Sequence, residues 1–376
     1  MISKSQRLLL GLAVILVGLS HVDAQVTHRQ ERTRTRLGRS VTGDQIPAKP
    51  LHVVTTLPDY AALAKIIGGQ RITTESIVHP IQDPHHIRPK PSFIHMVKRA
   101  DVLIATGLDL EMWLPTVVNK SGNRRIRSGE IGFVAVTHGM ALLEKPSVVS
   151  QIEGDVHIQG NPHVMCSPIK ARQAVYNIAT GLIKNDPAGK TLYEANRDKL
   201  ARELAEHLFG AELVTMLGAD TLCRLAEQHK LISFLQDKTL KGRPLIERLQ
   251  GWMGRLLPLR GQPIVVYHKN WSYFIDLFGL EEVATIESKP GIPPSPKHVT
   301  GLVTMMRERN IKLILAANYF DQQKVQTVAT KTGARAVVSP LFVGGTEETQ
   351  DYATLVDSWV TKLVRAARDT GIIEEP

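Results

Sequence analysis

Three histidines stand in short loops, each after a β-rich run of the chain. His85 lies in the turn Asp-Pro-His-His, His163 ends the stretch Gly-Asn-Pro-His, and His268 directly follows the run Ile-Val-Val-Tyr. Neutral imidazole is a usual zinc ligand, and a zinc site needs about four donors in a tetrahedron. One such histidine alone is more often a surface or hydrogen-bonded residue. Three at equivalent positions predict a single zinc site where two lobes meet.

The sequence offers several candidates for the fourth donor. They are water, His157 in the same polar stretch as His163, and the carboxylate of Asp321. Asp321 has a simpler role as the N-terminal cap of the helix that follows it. His86 is the alternative to its neighbour His85 as the first ligand. A proline precedes both His85 and His163, which restricts the backbone and favours a preformed geometry.

Strands that alternate with helices predict two α/β lobes. The first lobe has predicted strands at 51–57, 72–78, 101–105 and 133–136, and the second has them at 264–267, 283–287, 311–316 and 334–338. This alternation favours parallel sheets, in which ligands bind at the carboxyl ends of the strands. The predicted fold class is therefore α/β, with two parallel-sheet lobes, a long helical spine between them and a metal site in the cleft.

A long helical segment separates the two lobes. Residues 169–207 are predicted to be helical for most of their length, with Pro187 beginning the second part. The leucines of residues 208–258 indicate further helices whose role is packing. The chain is thus expected to contain a signal peptide, a basic disordered tether, a first lobe, a linking helix with a helical insertion, and a second lobe. Their ranges are 1–24, 25–48, 49–165, 166–258 and 259–376.

The first residues have the pattern of a secretory signal. Lys4 and Arg7 precede an apolar run from Leu8 to Leu19, and the small-residue site Val22-Asp23-Ala24 follows. The apolar run is shorter than a membrane-spanning helix. Residues 25–48 carry five arginines without an apolar period, which indicates a solvated tether. We expect cleavage of the signal peptide and a periplasmic location.

Charge and cysteine content exclude some classes of protein. The chain has 376 residues and a formal net charge of +10. Its basic residues are scattered, so we expect a partly basic protein surface and no nucleic-acid binding. We also expect a monomer. The two cysteines, Cys166 and Cys223, lack the spacing of a zinc pair, and the sequence leaves a disulfide between them open.

The stretches around the histidines resemble the motifs of one known family. They are Gln82-Asp83-Pro84-His85 with Lys90-Pro91-Ser92, Gly154-Asp155-Val156-His157 through Gly160-Asn161-Pro162-His163, and Tyr267-His268-Lys269 with Trp271. The segments 287–292 and 319–321 are similar to further blocks of that family. The family comprises the zinc- and manganese-binding proteins of bacterial ABC importers, the TroA-like class, and the resemblance covers about residues 50–370.

This resemblance implies a receptor that delivers metal to the membrane permease of an ABC importer, with His85, His163 and His268 as ligands. Three nitrogen donors favour Zn2+ as the cargo, with Mn2+ or iron as the second choice. Two positions depart from the family pattern. Met165-Cys166-Ser167 replace a tryptophan and an acidic residue, and Val343-Gly344-Gly345 stand where many members supply a carboxylate ligand.

Two other functions are alternatives to the receptor. A zinc hydrolase also uses histidines and a water molecule at zinc. The chain lacks the His-Glu-x-x-His pattern and a glutamate beside a ligand that could act as a general base. A metal-dependent adhesin, or a zinc chaperone for another exported protein, would have the same kind of metal site. We expect a binding protein and no enzyme.

Overall fold

Two parallel sheets form the framework of the protein. The computed structural model describes residues 49–145, 157–289 and 291–374. The predicted signal peptide and tether, residues 1–48, lie outside the described residues. Within the described ranges there are two four-stranded sheets, and every strand pair in them is parallel. The prediction of an α/β fold with two parallel-sheet lobes is confirmed.

The first sheet has the strand order β2-β1-β3-β4. Its strands are β1 (Leu51–Thr55), β2 (Ile72–Ser76), β3 (Val102–Ala105) and β4 (Phe133–Ala135). The helices of this lobe are α1 (Pro58–Gly68), α2 (Pro91–Lys98) and α3 (Leu114–Ser121). Strand β3 is buried at every position, as expected for a parallel strand that helices cover on both faces. Proline at the start of α1 and Gly69 at its end set the limits of that helix.

The helical segment after the first sheet is a pair of helices. α4 (Pro168–Asn185) and α5 (Lys190–Phe209) are joined by one 3-10 turn, Pro187–Gly189, and pack along each other. Pro187 begins the second part, as predicted. Both helices also pack on α1. The linking segment therefore contributes to the packing of the first lobe.

Short elements follow α5. They are α6 (Ala211–Leu217), α7 (Ala219–Glu227), α8 (Leu231–Asp237), the antiparallel pair β5 (Thr239–Leu240) and β6 (Arg243–Pro244), and α9 (Gly251–Leu256). Most of the leucines that indicated helices here are buried: Leu213, Leu222, Leu231, Leu235, Leu245 and Leu249. Their role is packing, as predicted.

The second sheet has the strand order β10-β9-β7-β8. Its strands are β7 (Pro263–Val266), β8 (Glu281–Thr285), β9 (Leu313–Ala317) and β10 (Arg335–Ser339). The helices of this lobe are α10 (Ser272–Phe278), α11 (Pro296–Glu308), α12 (Gln322–Thr332) and α13 (Tyr352–Asp369). The register of β7 against β8 shifts between Ile264 and Val265. Strand β9 is buried throughout, like β3 of the first sheet.

The two sheets share one topology. In each, the second strand lies on one side of the first, and the third and fourth lie on the other side. In sheets of this order, the loops after the first and third strands leave a crevice at the carboxyl ends of the strands, where ligands bind in open α/β sheets. His268 follows β7, the first strand of its sheet, and His85 lies in the loop after β2. Both histidines therefore lie beyond the carboxyl ends of their sheets, and His268 follows a strand that borders the crevice.

One hydrophobic cluster serves both lobes. It extends from β1 and β3 through α4 and α5 to residues of β7, β9, α10 and α13. Trp252, Trp271 and Trp359 are its largest fully buried side chains. A second, smaller cluster lies under α11 and α12 and includes Leu302, Met306 and Val325. A shared core ties the two sheets to each other through close packing.

Three elements, α2, α3 and β8, begin at well-defined residues. Helix α2 begins at Pro91, with Lys90 at the cap position; proline favours the first helical position. A 3-10 turn, Asp109–Glu111, precedes α3, whose first turn holds Pro115. The strand predicted at 283–287 begins two residues earlier, so that Glu287 lies in the loop after β8.

Two further observations concern the cysteines and membrane-spanning helices. Cys166 and Cys223 are both free and buried. No helix in the described ranges is both long enough and apolar enough to cross a membrane.

The ion pair between Arg71 and Asp186 should stabilise the first lobe. The Asp186 carboxylate accepts hydrogen bonds from Arg71 Nε (2.7 Å) and from Tyr193 Oη (2.6 Å), and the Arg71 bond holds the pKa of Asp186 below its usual value. The Asp186→Ala variant should lose about 2 kcal/mol of unfolding free energy at neutral pH. Because the folded-state pKa is lowered, this loss should shrink as the pH falls below 3.8. Urea unfolding at several pH values measures this loss of unfolding free energy.

Asp198 provides a matched control for this prediction. It pairs with the adjacent Arg197, but its side chain is 59% exposed. The Asp198→Ala variant should change the unfolding free energy by less than about 0.5 kcal/mol. Equal losses for the two variants would contradict the assigned role of the Arg71–Asp186 pair.

Candidate metal centre

His85 is held in a single 3-10 turn. Asp83 caps this turn, and its Oδ1 accepts hydrogen bonds from the backbone N–H of His85 (3.0 Å) and from ring Nδ1 (2.8 Å). Pro84 is buried, and its carbonyl accepts a hydrogen bond from Trp113 Nε1 at 2.8 Å. The turn is thus fixed to α3, and Nε2 of His85 is the nitrogen left for a ligand.

His163 is held in the same way by its own turn. Asn161 Oδ1 accepts hydrogen bonds from the backbone N–H and from ring Nδ1 of His163, both at 2.9 Å. Gly160 has φ 115°, and a side chain there would come within 2.9 Å of Leu142 Cβ and of the Leu143 carbonyl oxygen. Only glycine therefore fits the bend that leads into this turn. The ring is buried, and Nε2 has no hydrogen-bond partner.

Asn161 also connects the two lobes. Its Nδ2 donates to the carbonyl oxygen of Lys269 (2.7 Å) and to Glu144 Oε2 (2.9 Å). Lys269 follows His268, so one amide side chain touches a first-lobe histidine and the backbone beside a second-lobe histidine. Tyr273 adds a second link, because its hydroxyl donates to the carbonyl oxygen of Asn161 at 2.7 Å.

His268 is oriented by a residue from the loop that follows the neighbouring strand. It lies two residues after the end of β7, and its Nδ1 donates to Glu287 Oε2 at 2.8 Å. Glu287 follows β8, the strand that pairs with β7. Both side chains are less than one-tenth exposed. The same Oε2 accepts the backbone N–H of Gly291 at 3.3 Å, which holds the carboxylate in place.

The three histidines converge on one point. One ligand nitrogen from each of His85, His163 and His268 lies within 4.8 Å of the other two. The ring centroids are 5.1 Å apart for His85 and His163, and 5.4 Å apart for each of these rings and His268. Each Nδ1 is held by an oxygen, so the three Nε2 atoms are the available donors. Nitrogen donors at this spacing can bind one divalent transition-metal ion.

Burial keeps two of these rings uncharged. Desolvation lowers the pKa of His85 and lowers that of His163 well below the usual value, and the neighbouring histidines act in the same direction on His163. A neutral imidazole has a free electron pair for a metal ion, whereas an imidazolium does not. The buried rings are therefore already in the form that binds metal.

His157 lies next to this cluster. Its Nε2 is 3.2 Å from Nε2 of His85, and its ring centroid is 5.8 Å from that of His163. Its Nδ1 donates to Asp109 Oδ1 at 2.9 Å, and the other oxygen of Asp109 accepts the backbone N–H of Ile158. His157 is thus a fourth imidazole beside the other three. As in those rings, its Nδ1 is hydrogen-bonded to a protein oxygen, and its Nε2 lies next to the cluster.

The other candidate residues have different positions. Asp321 caps α12, where its Oδ1 accepts the backbone N–H groups of Gln323 and Lys324. It is exposed and does not belong to the histidine cluster, so the structure places it in the simpler of its two predicted roles. His86 is exposed, with its ring centroid 6.1 Å from that of His85. His85, not His86, is the residue turned into the cluster.

Four residues orient the histidine rings in a way that was not predicted from the sequence: Asp83, Asn161, Glu287 and Asp109. Two of them share a detectable signal, because Asp83 and Asn161 each stand two residues before a histidine, with a proline between. Glu287 could have been found from the adjacency of β7 and β8. Asp109 has no such signal, since its contact with His157 depends on the folding of two distant loops.

The fold and the centre define a class of two-lobed α/β binding proteins with a histidine cluster between the lobes. The sequence model of the ZnuA family, described as zinc-uptake complex component A, periplasmic, matches residues 53–208 and 245–366. The chain belongs to this family of metal-binding receptors of ABC importers. It is therefore a transport component and not an enzyme, which removes the zinc-hydrolase alternative. The matched ranges leave out residues 209–244, which contain α6, α7, α8 and the β5–β6 hairpin.

Individual relatives and one solved structure are similar to this chain. The high-affinity zinc uptake system protein ZnuA of Bacillus subtilis is 24% identical over 305 residues, which cover 80% of this chain and 81% of the relative. The iron-binding protein YfeA of Yersinia pestis is 24% identical over 291 residues, covering 77% of this chain and 76% of the relative. The crystal structure of a zinc-bound ZnuA lacking residues 138–173 has a TM-score of 0.62 at 18% identity, covering 87% of this chain and 100% of that one.

Removal of the Asn161 amide should weaken metal binding. Without it, His163 Nδ1 loses its acceptor and the carbonyl of Lys269 loses a donor. The Asn161→Ala variant should bind a divalent transition metal about 10- to 100-fold more weakly than the natural chain. Competition with a chromogenic chelator measures the affinity.

Asn123 provides the control. Its Nδ2 donates to the backbone carbonyls of Val97 and Ala100 within the first lobe. The Asn123→Ala variant should lose stability but keep its metal affinity. A folded Asn161→Ala protein with unchanged affinity would disprove the role assigned to Asn161.

Proposed function

We propose that the chain is a high-affinity receptor for zinc that delivers the ion to the membrane permease of an ABC importer. The observation that carries the proposal is the convergence of His85, His163 and His268 on one point, with each Nδ1 held by an oxygen of the protein. Two of these histidines belong to the first lobe and one to the second. Membership of the importer family supports the transport role.

The choice of zinc follows from the donor atoms. All the candidate donors in the cluster are imidazole nitrogens, and imidazole suits zinc, whereas manganese favours carboxylate and carbonyl oxygens. The segment after β10, Leu341 to Gly345, contributes no carboxylate. Zinc is therefore the proposed cargo, and manganese or iron is the alternative that a selectivity measurement would reveal.

His157 is the proposed fourth donor. In a tetrahedral zinc site with Zn–N bonds of about 2.05 Å, neighbouring nitrogens are about 3.3 Å apart. The Nε2 atoms of His85 and His157 are 3.2 Å apart. Water is the competing fourth ligand, and it would leave His157 as a nearby base that is not bound to the metal.

Metal analysis of single-histidine variants tests the ligand set. The natural chain should bind one zinc ion, and His268→Ala should lose at least about 100-fold in affinity, because only two or three nitrogens remain. His157→Ala should lose about tenfold or more if His157 is a ligand, and little if water fills that position. His95→Ala is a suitable control, since His95 is exposed on α2. Zinc-free protein after incubation with micromolar zinc would refute the proposed function.

Zinc affinity should fall in acid. Protons compete with the metal for the imidazole nitrogens, and for an exposed histidine this competition begins near the ordinary pKa of about 6.5. The lowered pKa values of His85 and His163 mean that these rings stay neutral to lower pH than an exposed histidine. The dissociation constant should therefore change little between pH 8 and 7 and rise steeply below about pH 6. A pH-independent constant from pH 7 to 5 would contradict ligation by imidazole.

Transport in cells tests the partner. A bacterium that lacks its own zinc receptor should recover zinc uptake in zinc-poor medium when the natural gene is supplied together with its permease. The His268→Ala gene should not restore uptake. Unchanged zinc uptake after deletion of the gene from its natural host would favour an adhesin or a chaperone instead. The proposed location is the periplasm, after cleavage of an N-terminal signal peptide.

A further inference from the structure

Asp59 is a buried carboxyl group with little to compensate its charge. It lies in the first turn of α1 and is fully buried. Its Oδ1 accepts the backbone N–H of Val343 at 3.4 Å, and its Oδ2 has no hydrogen-bond partner. No described lysine or arginine pairs with it. A group of this kind costs folding free energy, so its presence at an interface needs a reason.

The bond to Val343 crosses between the lobes. Asp59 belongs to the first lobe, and Val343 follows β10, the last strand of the second sheet. Val343 is preceded by Phe342, whose ring stacks on that of Tyr319 with a centroid distance of 6.1 Å and an interplanar angle of 13°. The carboxyl group therefore holds a loop in which the preceding side chain, that of Phe342, packs into the second lobe.

A continuous set of ring contacts leads from this loop to the metal centre. The rings of Tyr319 and Phe320 are 4.6 Å apart between centroids, and those of Phe320 and His268 are 5.8 Å apart. Asn270 Nδ2 also donates to the hydroxyl of Tyr319 at 3.2 Å. Closely packed rings transmit a displacement because they have few alternative arrangements. The position of the loop thus limits the position of His268.

We propose that Asp59 is a positioning residue of the metal centre. Through its bond to Val343 and the rings of Phe342, Tyr319 and Phe320, it sets His268 at the correct distance from the two first-lobe histidines. This inference rests on the proposed function, because it concerns the affinity of the same centre. It adds a residue that lies outside the histidine loops and touches none of the candidate ligands.

The surroundings of Asp59 make its charge sensitive to lobe separation. Tyr60, Cys166 and Tyr352 are the titratable groups that face it, and all are buried. Desolvation raises the pKa of Asp59 to about 7. If the loop at Val343 moves away, water reaches the carboxyl group and its charged form costs less. Charging of Asp59 therefore favours separation of the lobes, and its neutral form favours the arrangement described above.

Zinc affinity of Asp59 variants tests the inference. Asp59→Ala removes the acceptor of the Val343 N–H and should weaken zinc binding by at least about tenfold. Asp59→Asn keeps an acceptor oxygen and the shape of the side chain, and at pH 6 it should bind within about threefold of the natural chain. The control is Asp186→Ala, which removes a first-lobe ion pair and should keep its zinc affinity. Thermal unfolding of each zinc-free variant shows whether it is folded.

Comparison of the natural chain with Asp59→Asn over pH separates positioning from a purely structural role. Proton competition at the imidazoles is common to both proteins and cancels in the ratio of their dissociation constants. The dissociation constant of the natural chain divided by that of Asp59→Asn should be near one at pH 6. This ratio should rise as the pH passes about 7, where the natural carboxyl group becomes charged. A constant ratio would overturn the inference.

A second variant covers the case in which Asp59→Ala does not fold. Phe342→Leu leaves the Asp59–Val343 bond in place but removes the ring that stacks on Tyr319, and it should weaken zinc binding in the same direction. If folded Asp59→Ala or Phe342→Leu protein binds zinc like the natural chain, Asp59 does not position His268. If the natural chain itself binds no zinc, the proposed function fails, whatever the variants show.

Discussion

The hydrogen bond between ring Nδ1 and a protein oxygen is the interaction on which the metal centre depends. It occurs four times, with Asp83, Asn161, Glu287 and Asp109 as the acceptors. Each bond fixes the orientation of the ring and leaves the electron pair of Nε2 for the metal. Without it, a histidine on a loop would sample several rotamers, and ordering the ring on metal binding would cost conformational entropy. The bonds supply that order before the metal arrives.

The same bonds show what can be predicted from sequence. The Asp83–His85 and Asn161–His163 pairs are local, because both partners lie in one turn and the spacing across a proline is enough to form it. The Glu287–His268 pair depends on which strand lies beside β7, and the register shift in that pairing affects which residue after β8 lies beside His268. The Asp109–His157 contact joins residues 48 positions apart with no strand pairing between them. Such contacts arise only from the packing of whole loops, which residue pattern alone does not specify.

The positions of the lobes follow from a repeated topology and a shared core. Alternation of strands and helices predicted both sheets, and their equal strand order places loops that carry histidines at the carboxyl ends of the strands. The sequence pattern does not specify that the two crevices face each other. That arrangement is held by side chains that cross between lobes, such as Asn161 on the backbone of Lys269 and Tyr273 on the backbone of Asn161. A centre with ligands from both lobes is therefore sensitive to residues that touch no metal.

The charge of the cargo explains why three of the four ring acceptors are carboxylates. Neutral imidazoles bring no negative charge to a divalent ion, and an uncompensated charge in a buried site is costly. The segment after the last strand carries Phe342 and Val343 and offers no carboxylate to the metal. Asp83, Asp109 and Glu287 lie one ring away from the cluster and can balance the ion through the imidazoles. Such a centre keeps nitrogen donors, which favour zinc, and still offsets the charge of the metal.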